Sequence, residues 1–182
     1  CFPQFQSLDP LSTLAALAPI TEKITLGTLV LCEALRHPVM TAAIADTISD
    51  ISGGRLALGL GAGWHEPDYE IYGTKMPAVG ERMSRLTENM KILRSLFNGE
   101  LQNFDGEFYS THGATLSSPI DGEAKSRPPI PLFIGGKGDR LLRIVARYAD
   151  GWNTCWAFEF DGYSERVDSL HRACEKYDRD PG

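Results

Sequence analysis

Clustered metal-ligand and disulfide chemistry is missing from this sequence. Its four cysteines, Cys1, Cys32, Cys155 and Cys174, lie far apart and form no C-x-x-C pair. That spacing excludes a zinc knuckle and a small disulfide-stapled domain, and reduced thiols in a cytoplasmic protein are the expectation. The four histidines, His37, His65, His112 and His171, are equally scattered. There is no H-E-x-x-H, and Pro67 follows His65-Glu66 too closely for a ligand helix, so no metal is expected. No apolar run reaches the about 18 residues of a membrane helix. The longest, residues 24–35, is interrupted by Glu33. Positive charge is not in excess: 18 Lys and Arg stand against 24 Asp and Glu, a net charge of -6. That balance argues against a nucleic-acid surface. No basic stretch followed by an apolar one opens the chain. It starts on Cys1-Phe2-Pro3 without Met, as expected of the interior of a longer protein.

What is present is ordinary globular composition, with 42% apolar and 23% charged residues in 182; disorder and collagen-like structure are excluded. Residues 8–18 predict a helix, with Asp9 or Ser7 as cap, Pro10 in the first turn, and Leu11, Leu14, Leu17 and Ala18 on one face. Residues 23–31 form a continuous, β-branched apolar run and predict a strand buried on both faces. Pro38 opens a helix that Gly53-Gly54 closes. Residues 55–63 predict a second buried strand, residues 64–79 an irregular segment and residues 80–97 a helix. Asp105-Gly106 between aromatics predicts a hairpin. Strands follow at residues 130–134 and 151–157, and helices at 139–148 and 163–177. Strict alternation of helices and short buried strands means parallel β-α units with right-handed crossovers. An open doubly wound sheet fits, and so does part of a β/α barrel; four strands are half of a barrel.

In both architectures ligands bind at the carboxyl ends of the strands. Those ends carry Val30-Leu31-Cys32, then Gly61-Ala62-Gly63-Trp64-His65-Glu66, then Gly135-Gly136-Lys137-Gly138, then Asn153-Thr154-Cys155-Trp156. Gly135 to Gly138, before a helix starting near Asp139, suit either an anion-binding nest with Lys137 supplying charge or a tight β-α turn. The P-loop pattern is absent. Gly59, Gly61 and Gly63 alternate along one strand and leave one face bare, for a flat ligand or for a side chain from across the core. They do not meet the G-x-G-x-x-G spacing. Asn153 is a polar residue in a buried strand and needs a partner, which makes it a ligand-contact candidate. His65 and Glu66 at the mouth are candidates for acid–base work, with a solvated loop as the alternative. His37, before a Pro-initiated helix, is read first as a helix-end hydrogen bonder.

Taken together, these strings resemble the bacterial-luciferase-like family of flavin- or deazaflavin-dependent oxidoreductases. The resemblance is carried by Arg36-His37-Pro38, SGGRLALGLGAGW at residues 52–64, Tyr69 with Gly73, GERMSRLTENMKILRSLF at 80–97, FDGEFY at 104–109, PPIPLFIGGKG at 128–138 and ARYADGWN at 146–153. It is closer to the subgroup dependent on coenzyme F420. The resemblance implies an α/β fold, a (β/α)8 TIM barrel of luciferase-like type, of which residues 1–182 would supply strands three to six. Residues 101–129 would be the family's insertion between the strand-four helix and strand five. It implies F420 as cofactor, with FMN as the alternative, a small organic substrate, no membrane partner and a homodimer in the full-length protein. Val30, Leu31 and Cys32 would lie against the ring, with Gly61, Ala62, Gly63 and Trp64 beside the cofactor. Gly135, Gly136, Lys137, Gly138 and Asp139 would form the phosphate site, with Trp152 and Asn153 at the strand-six end. In luciferase itself an Arg in the second of these stretches holds the FMN phosphate; the matching position here is Ala62. An FMN-dependent monooxygenase and an inactive barrel fragment are the competing expectations.

Overall fold

The computed structural model describes residues 8–100, 102–116, 129–155 and 160–181. The chain begins with α1 (Pro10–Leu17), capped by Asp9, whose carboxylate accepts a 2.8 Å hydrogen bond from the Ser12 N–H. Two short strands follow, β1 (Leu26–Gly27) and β2 (Leu31–Cys32), then a 3-10 turn at Glu33–Leu35. His37 caps α2 (Pro38–Ile51), its Nδ1 accepting from the Val39 N–H at 3.3 Å. This is the helix-end role expected of it, because Pro38 brings no N–H of its own to the first turn. Next come β3 (Leu56–Gly61), α3 (Glu66–Ile71) and α4 (Val79–Phe97). A separate hairpin of β4 (Gln102–Asp105) and β5 (Ser110–Ala114) precedes β6 (Leu132–Gly135), α5 (Asp139–Tyr148), β7 (Gly151–Asn153) and α6 (Phe160–Glu175).

The main sheet is wholly parallel. β3 pairs with β1 and β2 on one side and with β6 on the other, and β6 pairs with β7. Helices pack side by side in chain order, α1 on α2, α2 on α4, α4 on α5 and α5 on α6. Leu56, Leu58 and Leu60 of β3, with Leu132 and Ile134 of β6, point toward that helical layer and are fully buried. Ala57 and Phe133, one position on, are only half-buried. A doubly wound sheet would place helices on both faces. Here the described helices cover one face, which is the arrangement of consecutive β-α units in a barrel.

Two local expectations differ from the structure. The run at residues 23–31 is not one strand buried on both faces. It breaks between β1 and β2, where the Leu29–Val30 peptide is cis. Leu26, Thr28 and Leu31 are buried, while Ile24 and Leu29 are exposed, Leu29 at 82%. Pairing with β3 on one side only leaves the outer edge open to a groove of about 510 Å³ shared with α1. The irregular segment at 64–79 contains α3, started by His65 and Pro67. Proline at a first-turn position was the available signal. The hairpin at Asp105-Gly106 is present and antiparallel, as expected.

Arg55 holds the approach to β1. Its guanidinium donates to the carbonyls of Ala18, Thr21, Ser52 and Ile24 at 2.7–2.9 Å. Glu88 of α4 does the same for the hairpin: its carboxylate accepts from the N–H groups of Glu107, Phe108 and Tyr109 at 2.8–3.1 Å. No helix among the described residues is long and apolar enough to cross a membrane.

Candidate active site

The parallel register brings the four strand ends to one edge of the sheet. Cys32 stands beside Gly61, and Gly135 beside Asn153. Gly59, Gly61 and Gly135 share one face, and the side chain that fills it is Val30. A Cβ at Gly61 would lie 2.8 Å from Val30 Cγ2, one at Gly59 2.9 Å from Cγ1, and one at Gly135 3.0 Å from both methyls. Thr28 completes the packing at Gly59, donating from its hydroxyl to the Gly59 carbonyl at 2.8 Å and accepting from its N–H at 3.0 Å. The bare strand face is thus a seat for Val30, and the Val30 methyls form the floor of the mouth. Leu31, the neighbour of Val30, is buried on the helical side.

Asn153 lies on the same face as Val30. Its Oδ1 would sit 2.7 Å from a Cβ on Gly135, is inaccessible to solvent and has no hydrogen-bond partner. A buried acceptor left unpaired costs free energy. It therefore marks a place where a ligand donor fits. Trp152 points the other way, stacked on Tyr163 of α6 with ring centres 5.9 Å apart. Its indole N–H donates to the Gly136 carbonyl at 2.6 Å. Trp152 braces the glycine turn from behind.

That turn is only partly a ring of converging N–H groups. Gly136 has φ 141°, a conformation that disfavours any side chain. Its N–H is used by the Asn153 carbonyl at 3.0 Å. Gly138 is extended, with φ -77°, and a Cβ there would meet nothing within 4 Å. No side chain caps α5, so its first N–H groups remain available to an anion. Lys137 is exposed beside it, while Asp139 is engaged by Arg166 at 2.6 Å.

At the β3 end, Ala62 and Gly63 are held by Tyr69 and Arg82. The Tyr69 hydroxyl donates to the Ala62 carbonyl at 3.2 Å, and the Cys32 thiol donates to Tyr69 Oη at 3.6 Å. Arg82 donates to the Gly63 and Pro77 carbonyls. Burial pushes the Cys32 thiol and the Tyr69 hydroxyl up from their ordinary values, so both stay protonated at neutral pH. Trp64 is 66% exposed and meets the His65 ring edge-on at 5.2 Å. His65 Nδ1 lies 3.1 Å from Asp68 Oδ1, a carboxylate that orients the ring. Glu66 is exposed in the first turn of α3.

Sequence reasoning passed over one buried group beside the mouth. Glu33, directly after Cys32, is only 2% exposed and accepts from the Tyr109 hydroxyl at 2.8 Å. An acidic residue inside an apolar run was its only signal. Among the described residues, no cluster of His, Cys, Asp and Glu could hold a metal ion.

Comparison with known proteins places this geometry. In structure, the chain superimposes with a TM-score of 0.84 on an F420-dependent secondary alcohol dehydrogenase in complex with an F420-acetone adduct, at 22% identity, over 99% of this chain and 53% of that one. A coenzyme F420-dependent tetrahydromethanopterin reductase from Methanopyrus kandleri gives 0.79 at 21% identity, over 95% of this chain and 51% of that one. In sequence, the F420-dependent glucose-6-phosphate dehydrogenase of Nakamurella multipartita is 34% identical over 143 residues, 78% of this chain and 40% of the relative. That of Intrasporangium calvum is 30% identical over 94% of this chain and 56% of the relative. The chain spans about half the length of the curated relatives it matches. The family model described as luciferase-like monooxygenase matches residues 2–182. A one-sided helical layer on a parallel sheet, strand ends gathered at one edge and a match over nearly every residue lead to one assignment: the chain belongs to the luciferase-like monooxygenase family.

Proposed function

We propose that these strand ends hold coenzyme F420 in an oxidoreductase that exchanges hydride with a small organic substrate. The observation that carries this reading is the Val30 floor over Gly59, Gly61 and Gly135, with the unpaired Asn153 Oδ1 at its rim. A flat apolar floor beside one buried acceptor suits a planar ring with polar edges. The curated relatives, named as F420-dependent dehydrogenases, support the choice of cofactor.

In this reading Val30 and Cys32 lie against the ring and exclude water from one side of it. Asn153 Oδ1 accepts from its polar edge. The open N-terminus of α5, with Gly138 and Lys137, receives the phosphate. Gly61, Ala62, Gly63 and Trp64 border the ring on the β3 side. When bound, F420 supplies hydride exchange and the protein supplies orientation and electrostatics. His65, its Nδ1 held on Asp68, is the proton-exchanging group, with Glu66 second. Residues 101–129 are read as the insertion, and its described part, residues 102–116, carries the β4–β5 hairpin whose Tyr109 reaches Glu33 beside this mouth. The family model's description, together with the fold shared with an EDTA monooxygenase at a TM-score of 0.80, keeps FMN-dependent oxygenation as the second reading. Ala62 weighs against it, since no cationic side chain stands there to meet an FMN phosphate.

Titration of the chain with F420 and with FMN, followed by tryptophan fluorescence, tests the proposal. Saturable quenching by F420 alone is expected, weakened in Asn153→Ala. Quenching by FMN alone turns the reading to oxygenation, and quenching by neither overturns both.

A further inference from the structure

The strand that ends at the mouth beside Val30 is the least secured in the sheet. β2 is two residues long, Leu31–Cys32, and among the described residues it pairs with β3 on one side only. So short an edge strand is not fixed by its ladder alone. Its hold must come from the residues on either side of it. Before it stands Thr28, whose hydroxyl donates to the Gly59 carbonyl at 2.8 Å and accepts from the Gly59 N–H at 3.0 Å. After it the hold comes from 76 positions away: the Tyr109 hydroxyl donates to Oε2 of Glu33 at 2.8 Å. Glu33 opens the 3-10 turn directly after Cys32 and is only 2% exposed, so water does not compete for this bond. The Cys32 thiol adds only a weak contact, 3.6 Å to Tyr69 Oη.

We propose that Tyr109 is a positioning residue for the mouth: through Glu33 it makes the β4–β5 hairpin a strut that sets where β2 stands, and with it Val30 and Cys32. A strut needs a fixed foot, and the hairpin has one on α4. There the Glu88 carboxylate gathers the N–H groups of Glu107, Phe108 and Tyr109 at 2.8–3.1 Å. Arg85 of the same helix, tied to Glu81 at 2.8–2.9 Å, lies 4.5 Å from the centre of the Phe108 ring. α4 is itself packed between α2 and α5, and the 3-10 turn at Glu33 rests on it as well. From a third direction His37, the cap of α2, meets the Tyr109 ring edge-on at 5.8 Å. The hydroxyl thus reaches Glu33 from a backbone and a ring that are already held, and little conformational entropy is lost in making the bond.

The route from strut to mouth is short. Tyr109 holds Glu33; Glu33 is bonded in sequence to Cys32; and two residues before Cys32 is Val30, whose methyls fill the face left bare by Gly59, Gly61 and Gly135. A shift at Glu33 therefore moves the floor and the thiol together. The effect of Tyr109 on cofactor affinity rests on the F420 reading above, while its hold on β2 does not.

Native-state amide exchange of the full chain tests the strut, with β2 read against β6 as the internal control. Tyr109→Phe removes the hydroxyl and keeps the ring against His37. Exchange at β2 is expected to accelerate more than about tenfold while β6 is unchanged. Glu33→Gln keeps an acceptor for the hydroxyl and is expected to retain most of the protection, whereas Glu33→Leu loses it as Tyr109→Phe does. Combining Tyr109→Phe with Glu33→Leu should add nothing further. Unchanged β2 exchange in Tyr109→Phe, equal acceleration of β2 and β6, or equal losses in Glu33→Gln and Glu33→Leu overturns the proposal. In the unmutated chain, β2 is expected to open together with residues 107–109, with the same dependence on denaturant. Opening of β2 independently of the hairpin overturns the strut even if no variant folds. F420 affinity is expected to fall about tenfold in Tyr109→Phe, because the floor is displaced. Accelerated β2 exchange with unchanged F420 affinity overturns the positioning role. β2 exchange that follows Tyr109 in a chain that does not bind F420 overturns the cofactor reading alone.

Discussion

Val30 occupies the space that a side chain on Gly61 would need: a Cβ there would lie 2.8 Å from Val30 Cγ2. The two residues are 31 positions apart in sequence, Val30 in the break just before β2 and Gly61 at the end of the neighbouring parallel strand β3. Their fit makes a flat floor at the strand ends, and its size depends on both partners at once.

Gly61→Ala is expected to destabilise the chain by about 1–3 kcal/mol, because a well-packed site must accept one more carbon. Val30→Ala in the same chain removes the obstacle, so the double variant should recover part of that loss. Gly138→Ala, where a Cβ meets open space, should change stability by less than about 0.5 kcal/mol. Urea denaturation of the set reads this as a double-mutant cycle. Additive losses at Gly61 and Val30 would show that the two side chains do not share one space.

Glu88→Gln removes the negative charge that gathers the N–H groups of Glu107, Phe108 and Tyr109. Charge-assisted bonds of this kind contribute about 1.5–3 kcal/mol each before compensation. Exchange of the amides at 107–109 should accelerate strongly while the amides of β3 keep their protection. Uniform acceleration across the chain would mean that the hairpin and the sheet open as one unit.

Glu33 gives stability a defined pH slope. Its carboxyl rises from an ordinary 4.5 to about 7 in the folded chain, chiefly through burial. Between those values the folded state binds more protons than the unfolded state, so stability falls as pH rises. The loss begins above about 4.5, is complete near 7 and amounts to on the order of 3 kcal/mol. Thermal unfolding of wild type and Glu33→Gln from about pH 5 to about pH 8 should show a slope in the first that is missing from the second. Parallel curves would assign the slope to other groups.

Cysteine reactivity should follow burial. Cys155 is exposed, Cys32 is half-buried and Cys174 is buried. Burial raises the thiol pKa of Cys32 and Cys174, and the thiolate is the reactive form. Iodoacetamide at neutral pH, followed by peptide mass spectrometry, should label Cys155 well before the other two. Early labelling of Cys32 would mean that its contact with Tyr69 opens readily.

Much of the fold and part of the site are legible in the chain itself. Proline at helix starts, Gly53-Gly54 at a helix end and apolar stripes at helical spacing mark α1, α2, α4 and α5 within a residue or two. These signals are local, and each is written in a few consecutive residues. The alternation of strands and helices likewise announces parallel β-α units, and the strand-end glycines announce where a ligand belongs. The run at 23–31 misleads because composition reports burial only on average. Which of its residues face the core depends on a break between β1 and β2 and on one-sided pairing with β3.

Three things were decided only by the tertiary structure. Helices on a single face separate a barrel segment from a doubly wound sheet, because both share one alternating pattern. The bare face of β3 became a seat for Val30, and Trp152 a brace for Gly136 while its neighbour Asn153 turned to the mouth. The Glu33–Tyr109 bond had no sequence signature beyond one acid in an apolar run. Sequence determines local conformation and the faces available for burial. Contacts between residues dozens of positions apart are chosen by register and packing, and here those contacts shape the mouth.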